Sequence, residues 1–165
     1  MINVFDKLAL VQALVLDVDG VFTDNNILVT DQGEFFRTMN VRDGYAIRRA
    51  LAAGLKIGII TGGKSIGIIK RMNMLGIVDI HLGIEDKLSV FKSLLEKWNI
   101  AVEHSVYMGD DLPDIDCMKI AGLAACPRDS VPEILEICEY ISTLDGGKGC
   151  IRQLIEQILQ AQDKW

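Results

Sequence analysis

Apolar positions along the chain fall into two kinds of segment. Short unbroken runs near Ala13, Lys56, Asp79, Val106, Leu123 and Tyr140 are rich in β-branched residues and end in glycine or polar residues, which predicts buried strands. Between them, apolar residues recur at helical spacing over 41–53, 65–75, 88–98, 112–121, 131–137 and 150–162, with Gly54 closing the first of these helices. Strand and helix alternate without an internal repeat or a low-complexity linker. The pattern predicts an α/β fold, a doubly wound and mostly parallel sheet in one domain spanning 1–165. One stretch breaks the alternation. Ile27-Leu28-Val29-Thr30, a turn at Asp31-Gln32-Gly33, and Glu34-Phe35-Phe36-Arg37 predict a β-hairpin inserted after the first strand, at about residues 26–40. Phe35 and Phe36 are adjacent and point to opposite faces, so a lone hairpin exposes an aromatic side chain; this one is expected to meet a partner.

Polar residues at the ends of the apolar runs carry the chemistry. The first run ends in Asp17-Val18-Asp19-Gly20, two carboxylates on the carboxyl side of a strand, where ligands bind in open α/β sheets. Two ionised carboxylates held together repel each other, and a hard cation such as Mg2+ relieves that repulsion. Taken alone, D-x-D is also compatible with a polar turn. The other runs change that balance. Lys56-Ile57-Gly58-Ile59-Ile60 delivers Thr61-Gly62-Gly63, the strand near Asp79 leads to Asp86-Lys87, and Ser105-Val106-Tyr107-Met108 delivers Gly109-Asp110-Asp111. Parallel strands would bring all of these to one edge. Asp111 and Asp114 flank Pro113 in a first helical turn, so a local capping role competes with a role at the site.

The order D-x-D-G-V, T-G, K and G-D-D-x-x-D resembles the haloacid dehalogenase superfamily of phosphotransferases, over nearly the whole chain. The resemblance implies that Asp17 is a nucleophile forming an aspartyl phosphate, and that Asp19 protonates the leaving alcohol and later activates water. It implies Mg2+ bound by the carboxylates of Asp17 and Asp110 and the backbone carbonyl of Asp19, with Thr61 and Lys87 holding phosphoryl oxygens. Asp111 and Asp114 would help to position the metal and its waters. No insert is large enough for a cap domain, and capless members close their sites by oligomerising. Within the superfamily the chain is similar to phosphatases of the eight-carbon sugar acid ester 3-deoxy-D-manno-octulosonate 8-phosphate, which belong to lipopolysaccharide sugar biosynthesis. The segment Asn40-Val41-Arg42-Asp43-Gly44-Tyr45-Ala46-Ile47-Arg48 resembles their substrate segment, and 146–152 resembles their glycine-rich C-terminal signature. By that likeness Asn40, Arg42, Asp43, Gly44, Arg48 and Arg71 contact the sugar acid, and the chain assembles as a homotetramer through its hairpins. A substrate with both carboxylate and phosphate suits a site with arginines beyond Lys87. One departure stands out. Many of these phosphatases carry arginine after T-G, where this chain has Gly63; Lys64 follows as the cation placed to reach the sugar. A sister activity on nonulosonate 9-phosphates goes with glutamate at that position, so Gly63 favours the eight-carbon ester.

Composition narrows the partners. With 50% hydrophobic residues the 165-residue chain can bury a sizeable core, and a net charge of −6 argues against nucleic acid. The absence of a long apolar stretch or a signal-peptide pattern points to a soluble cytoplasmic protein with no membrane partner. Cys117, Cys126, Cys138 and Cys150 lack C-x-x-C spacing and read as reduced, packing residues. Two other classes stay in view. A receiver domain also combines acids, Thr and Lys, but its acid pair precedes the phosphorylated aspartate, whereas Asp19 follows Asp17. A non-catalytic phosphoryl-binding or oligomerisation module would be expected to have lost a site position, and none is lost here.

Overall fold

Strand β1 (Ala13–Leu16) lies inside the sheet because every one of its residues is apolar and buried on both faces. The computed structural model describes residues 3–165. Leu14 and Leu16 enter one core and Ala13 and Val15 the other, as the two-residue period of a strand requires. Around it stand β4 (Lys56–Thr61), β5 (Asp79–Leu82), β6 (Ser105–Met108), β7 (Leu123–Cys126) and β8 (Tyr140–Ile141), in the order β5-β4-β1-β6-β7-β8. Every pairing in this sheet is parallel. The order reverses on either side of β1, which leaves a crevice at the carboxyl ends of β1, β4 and β6.

Helices cover both faces. The core containing Leu14 takes in residues of α1 (Val4–Leu10), α2 (Val41–Ala52), α3 (Ile66–Leu75) and α7 (Cys150–Ala161). The opposite core takes in α4 (Lys87–Trp98), α5 (Ile115–Ile120) and α6 (Pro132–Ile137). Side chains of Asn40, Ser65 and Asp86 cap α2, α3 and α4 at their amino ends, and Gly76 and Asn99 close α3 and α4 in left-handed conformation.

Three details differ from the sequence pattern. Helix α1 is an addition, a seven-residue helix that buries little beyond Leu8 and is too short to show a period. The helix expected over 112–121 is split into a 3-10 turn, Leu112–Asp114, followed by α5. Asp111 and Asp114 cap that turn reciprocally, which tightens the chain around Pro113. The hairpin forms, with β2 (Leu28–Val29) antiparallel to β3 (Phe35–Phe36), but the ribbon exposes both phenylalanines rather than one. Both stay more than half exposed among the described residues, although they border a cavity with Ile68 and Arg71 of α3.

Candidate active site

Asp17 is the first residue beyond β1, and its N–H continues the ladder by donating to the Met108 carbonyl at 3.0 Å. Thr61 ends β4, Lys87 opens α4, and Asp110 lies just past β6. The register pairs Leu16 with both Ile59 and Met108, so β1 and β6 end level and β4 runs two residues further to bring Thr61 to the same edge. A cavity of about 510 Å3 sits there, lined by Asp17, Asp19, Thr61, Gly63, Lys87, Asp110 and Asp111 among others. Gly20 makes the close approach possible. Its φ is +84°, and a Cβ there would fall 1.9 Å from Asp110 Oδ2.

Lys87 is buried and bridges two acids, with Nζ 2.9 Å from Asp17 Oδ2 and 2.8 Å from Asp114 Oδ1. Asp114 has no exposure at all. It accepts also from the Tyr107 hydroxyl at 2.9 Å and from the Asp110 and Asp111 backbone N–H groups at 3.2 and 3.4 Å. Asp110 Oδ2 accepts from the Asn25 side chain at 2.8 Å. Carboxylate oxygens of Asp17, Asp110 and Asp114 lie within 4.8 Å of one another. Burial and the neighbouring Asp114 charge push the Asp17 carboxyl upward although Lys87 opposes them, and burial raises Asp110 to about 6. Lys87 itself is held charged: its two acid partners outweigh the desolvation that opposes them. Three acids around this lysine leave an excess of negative charge, and a divalent cation with oxygen ligands fits that donor set.

Asp19 is held differently. Arg37, just past β3, grips it with both arms of its guanidinium, Nε to Oδ1 at 2.6 Å and Nη2 to Oδ2 at 3.1 Å. Gly63 lies alongside. A Cβ there would stand 3.4 Å from Thr61 Oγ1 and 3.5 Å from Asp19 Oδ2, and Gly63 N–H donates to Thr61 Oγ1 at 3.1 Å. Lys64, the cation expected to reach the sugar, instead lies across Gly83 and faces a separate cavity with Ile27 and Glu34.

Asn40, Arg42, Asp43, Gly44, Arg48 and Arg71, expected around a sugar acid, do not line the Asp17 cavity. Asn40 caps α2 and Arg42 is exposed on that helix. Arg48 donates to the Met74 carbonyl at 3.0 Å. Arg71 lies against Gly44 and lines a neighbouring cavity of about 280 Å3 with Phe35, Arg37, Met39 and Ile68. Asp43 turns away from both and accepts from the Arg152 N–H at 2.7 Å, capping α7 across a helix interface. The glycine-rich segment packs on its own chain. A Cβ on Gly146 would fall 1.9 Å from the Gly20 carbonyl, Gly147 N–H donates to Val21 O at 3.0 Å, and Lys148 pairs with Asp24 at 3.2 Å. Sequence reasoning missed Asn25, Arg37 and Tyr107, which no motif marks; Asn25 has φ +63°, a strained setting that only the fold reveals.

A family model for haloacid dehalogenase-like hydrolases matches residues 76–152. The chain is 40% identical over 162 residues to the 3-deoxy-D-manno-octulosonate 8-phosphate phosphatase KdsC of Salmonella typhi, covering 98% of this chain and 86% of that one. The Escherichia coli K12 protein of the same name is 39% identical over the same shares. The chain belongs to the octulosonate 8-phosphate phosphatase family of haloacid dehalogenase-like hydrolases. Solved structures of the family agree in fold. The Yersinia pestis phosphatase superposes with a TM-score of 0.96 at 37% identity, covering 98% of this chain and 87% of that one. The Moraxella catarrhalis phosphatase, solved with a magnesium ion, a phosphate ion and KDO, gives 0.93 at 32% identity, covering 96% and 91%. The cluster of Asp17, Asp110 and Asp114 is able to hold a metal ion, and that relative was solved with magnesium.

Proposed function

We propose that the chain hydrolyses 3-deoxy-D-manno-octulosonate 8-phosphate to the free sugar acid and inorganic phosphate, in lipopolysaccharide sugar biosynthesis. The observation that carries this reading is the buried trio Asp17, Asp110 and Asp114 around Lys87, in a chain akin to octulosonate phosphatases over nearly its whole length. Asp17 attacks phosphorus, so that an aspartyl phosphate forms as the ester P–O bond breaks. Asp19, once it has left Arg37 and taken a proton from solvent, gives that proton to the departing sugar oxygen. Water then attacks the phosphoryl group and yields its proton to Asp19, and Asp17 is regenerated. Thr61 and Lys87 hold the phosphoryl oxygens as charge redistributes. Asp17, Asp110 and the Asp19 carbonyl would hold Mg2+, which would supply neutralisation of the charge between carboxylate and phosphate dianion. Asp111 and Asp114 act one layer out, Asp114 by fixing Lys87.

Exposed Leu28, Val29, Phe35 and Phe36 support assembly of a homotetramer through the hairpins, and the sugar-contacting arginines then belong to sites completed by a neighbour. Among the described residues no helix is long and apolar enough to cross a membrane, and all four cysteines are free, which supports a cytoplasmic setting. Comparing kcat/KM on octulosonate 8-phosphate and on a nonulosonate 9-phosphate tests the substrate. The eight-carbon ester should be preferred; a preference for the nine-carbon ester overturns the assignment.

A further inference from the structure

The ion pair between Asp19 and Arg37 separates the catalytic cavity from the adjoining one. Asp19 lines the first, and Arg37 lines the second together with Phe35, Met39 and Ile68. Arg37 is only 12% exposed although the ribbon that carries it is largely open to solvent, so this guanidinium is placed against the site. Gly63 brings no side chain of its own to that flank of Asp19, where Ile68 is the nearest neighbour, and Lys64 lines a further cavity that Arg37 also borders. A guanidinium fork gripping a carboxylate with two nitrogens is a carboxylate receptor whose occupant happens to be Asp19. An ester whose phosphate is seated at Thr61 and Lys87 can extend past this pair, because Asp19 lines the cavity that holds them.

We propose that Arg37 recognises the carboxylate of the substrate, which takes the place of the Asp19 carboxylate on the guanidinium fork. Arg37 thereby selects a sugar acid over a neutral sugar. The proposal rests on the sugar-acid phosphatase reading, and its test is chosen to be separable from that reading. Two esters of equal carbon number, 6-phosphogluconate and glucose 6-phosphate, differ at the first carbon by the presence or absence of a carboxylate. The native chain should prefer 6-phosphogluconate in kcat/KM. Arg37→Ala should cut that preference by on the order of 10- to 100-fold, the loss expected for a charge-assisted pair, with the fall carried by the carboxylated ester. Arg37→Lys, which keeps the charge without the fork, should recover part of the preference. No preference in the native chain, or a preference that survives Arg37→Ala whether or not both activities fall, overturns the proposal. Failure to hydrolyse octulosonate 8-phosphate would count against the proposed function instead, because the ratio between the two six-carbon esters is read independently of it.

Discussion

Asp114 does both jobs that its spacing allows. It caps the turn around Pro113, and the same carboxylate receives Lys87, Tyr107 and two backbone N–H groups with no contact to solvent. A motif places this acid near the site, but only the fold shows that it sits beneath the ligands and orients the lysine. Asp114→Ala would leave Lys87 paired with Asp17 alone and take the acceptor from the Tyr107 hydroxyl and two backbone N–H groups, and breaking a buried pair costs up to about 3–5 kcal/mol. A thermal melt of Asp114→Ala should therefore show a large loss of stability. Asp114→Asn, which keeps an acceptor for part of the network, should lose less; equal and negligible shifts for both would deny Asp114 this structural role. Asn25 and Arg37 were not legible at this scale, because each reaches its acid from a loop or hairpin whose path depends on tertiary packing.

At the scale of elements, Asp43 joins α2 to the amino end of α7. Burial raises its carboxyl to about 6 from an ordinary 3.8, while the Arg152 N–H pulls the other way, and its Oδ2 is buried without a partner. Between those two pH values the folded chain keeps a proton that the unfolded chain gives up, so the contribution is full below about 4 and lost as pH rises through about 6. Asp43→Asn cannot ionise. The difference in melting temperature, variant minus native, should be more positive at pH 8 than at pH 5, and a difference independent of pH would contradict this account. The hairpin is the other element that waits on something outside it. Burying a phenylalanine is worth roughly 1.5–3 kcal/mol, and Phe35 and Phe36 leave two uncovered. Phe35→Ser with Phe36→Ser should give monomers by light scattering where the native chain gives a larger species. A double variant that assembles like the native chain would remove the hairpin from the interface.

For the whole molecule, strand order turns a string of motifs into one site. The six main strands are visible as apolar runs, and the parallel order brings Asp17, Thr61, Lys87 and Asp110 to one edge, as the pattern of run and glycine implied. Sugar-contacting residues were legible as a segment but not as a site. Asp43 is consumed by helix packing, Arg48 donates to the Met74 carbonyl, and Arg42 is exposed on α2 and does not line the cavity. Phosphate release from octulosonate 8-phosphate by the native chain and by Asp17→Asn, each with and without Mg2+, tests the central claim most directly. Turnover should need both Asp17 and Mg2+, while the variant keeps its fold and assembly. Release that persists in Asp17→Asn, or that is indifferent to Mg2+, would contradict it.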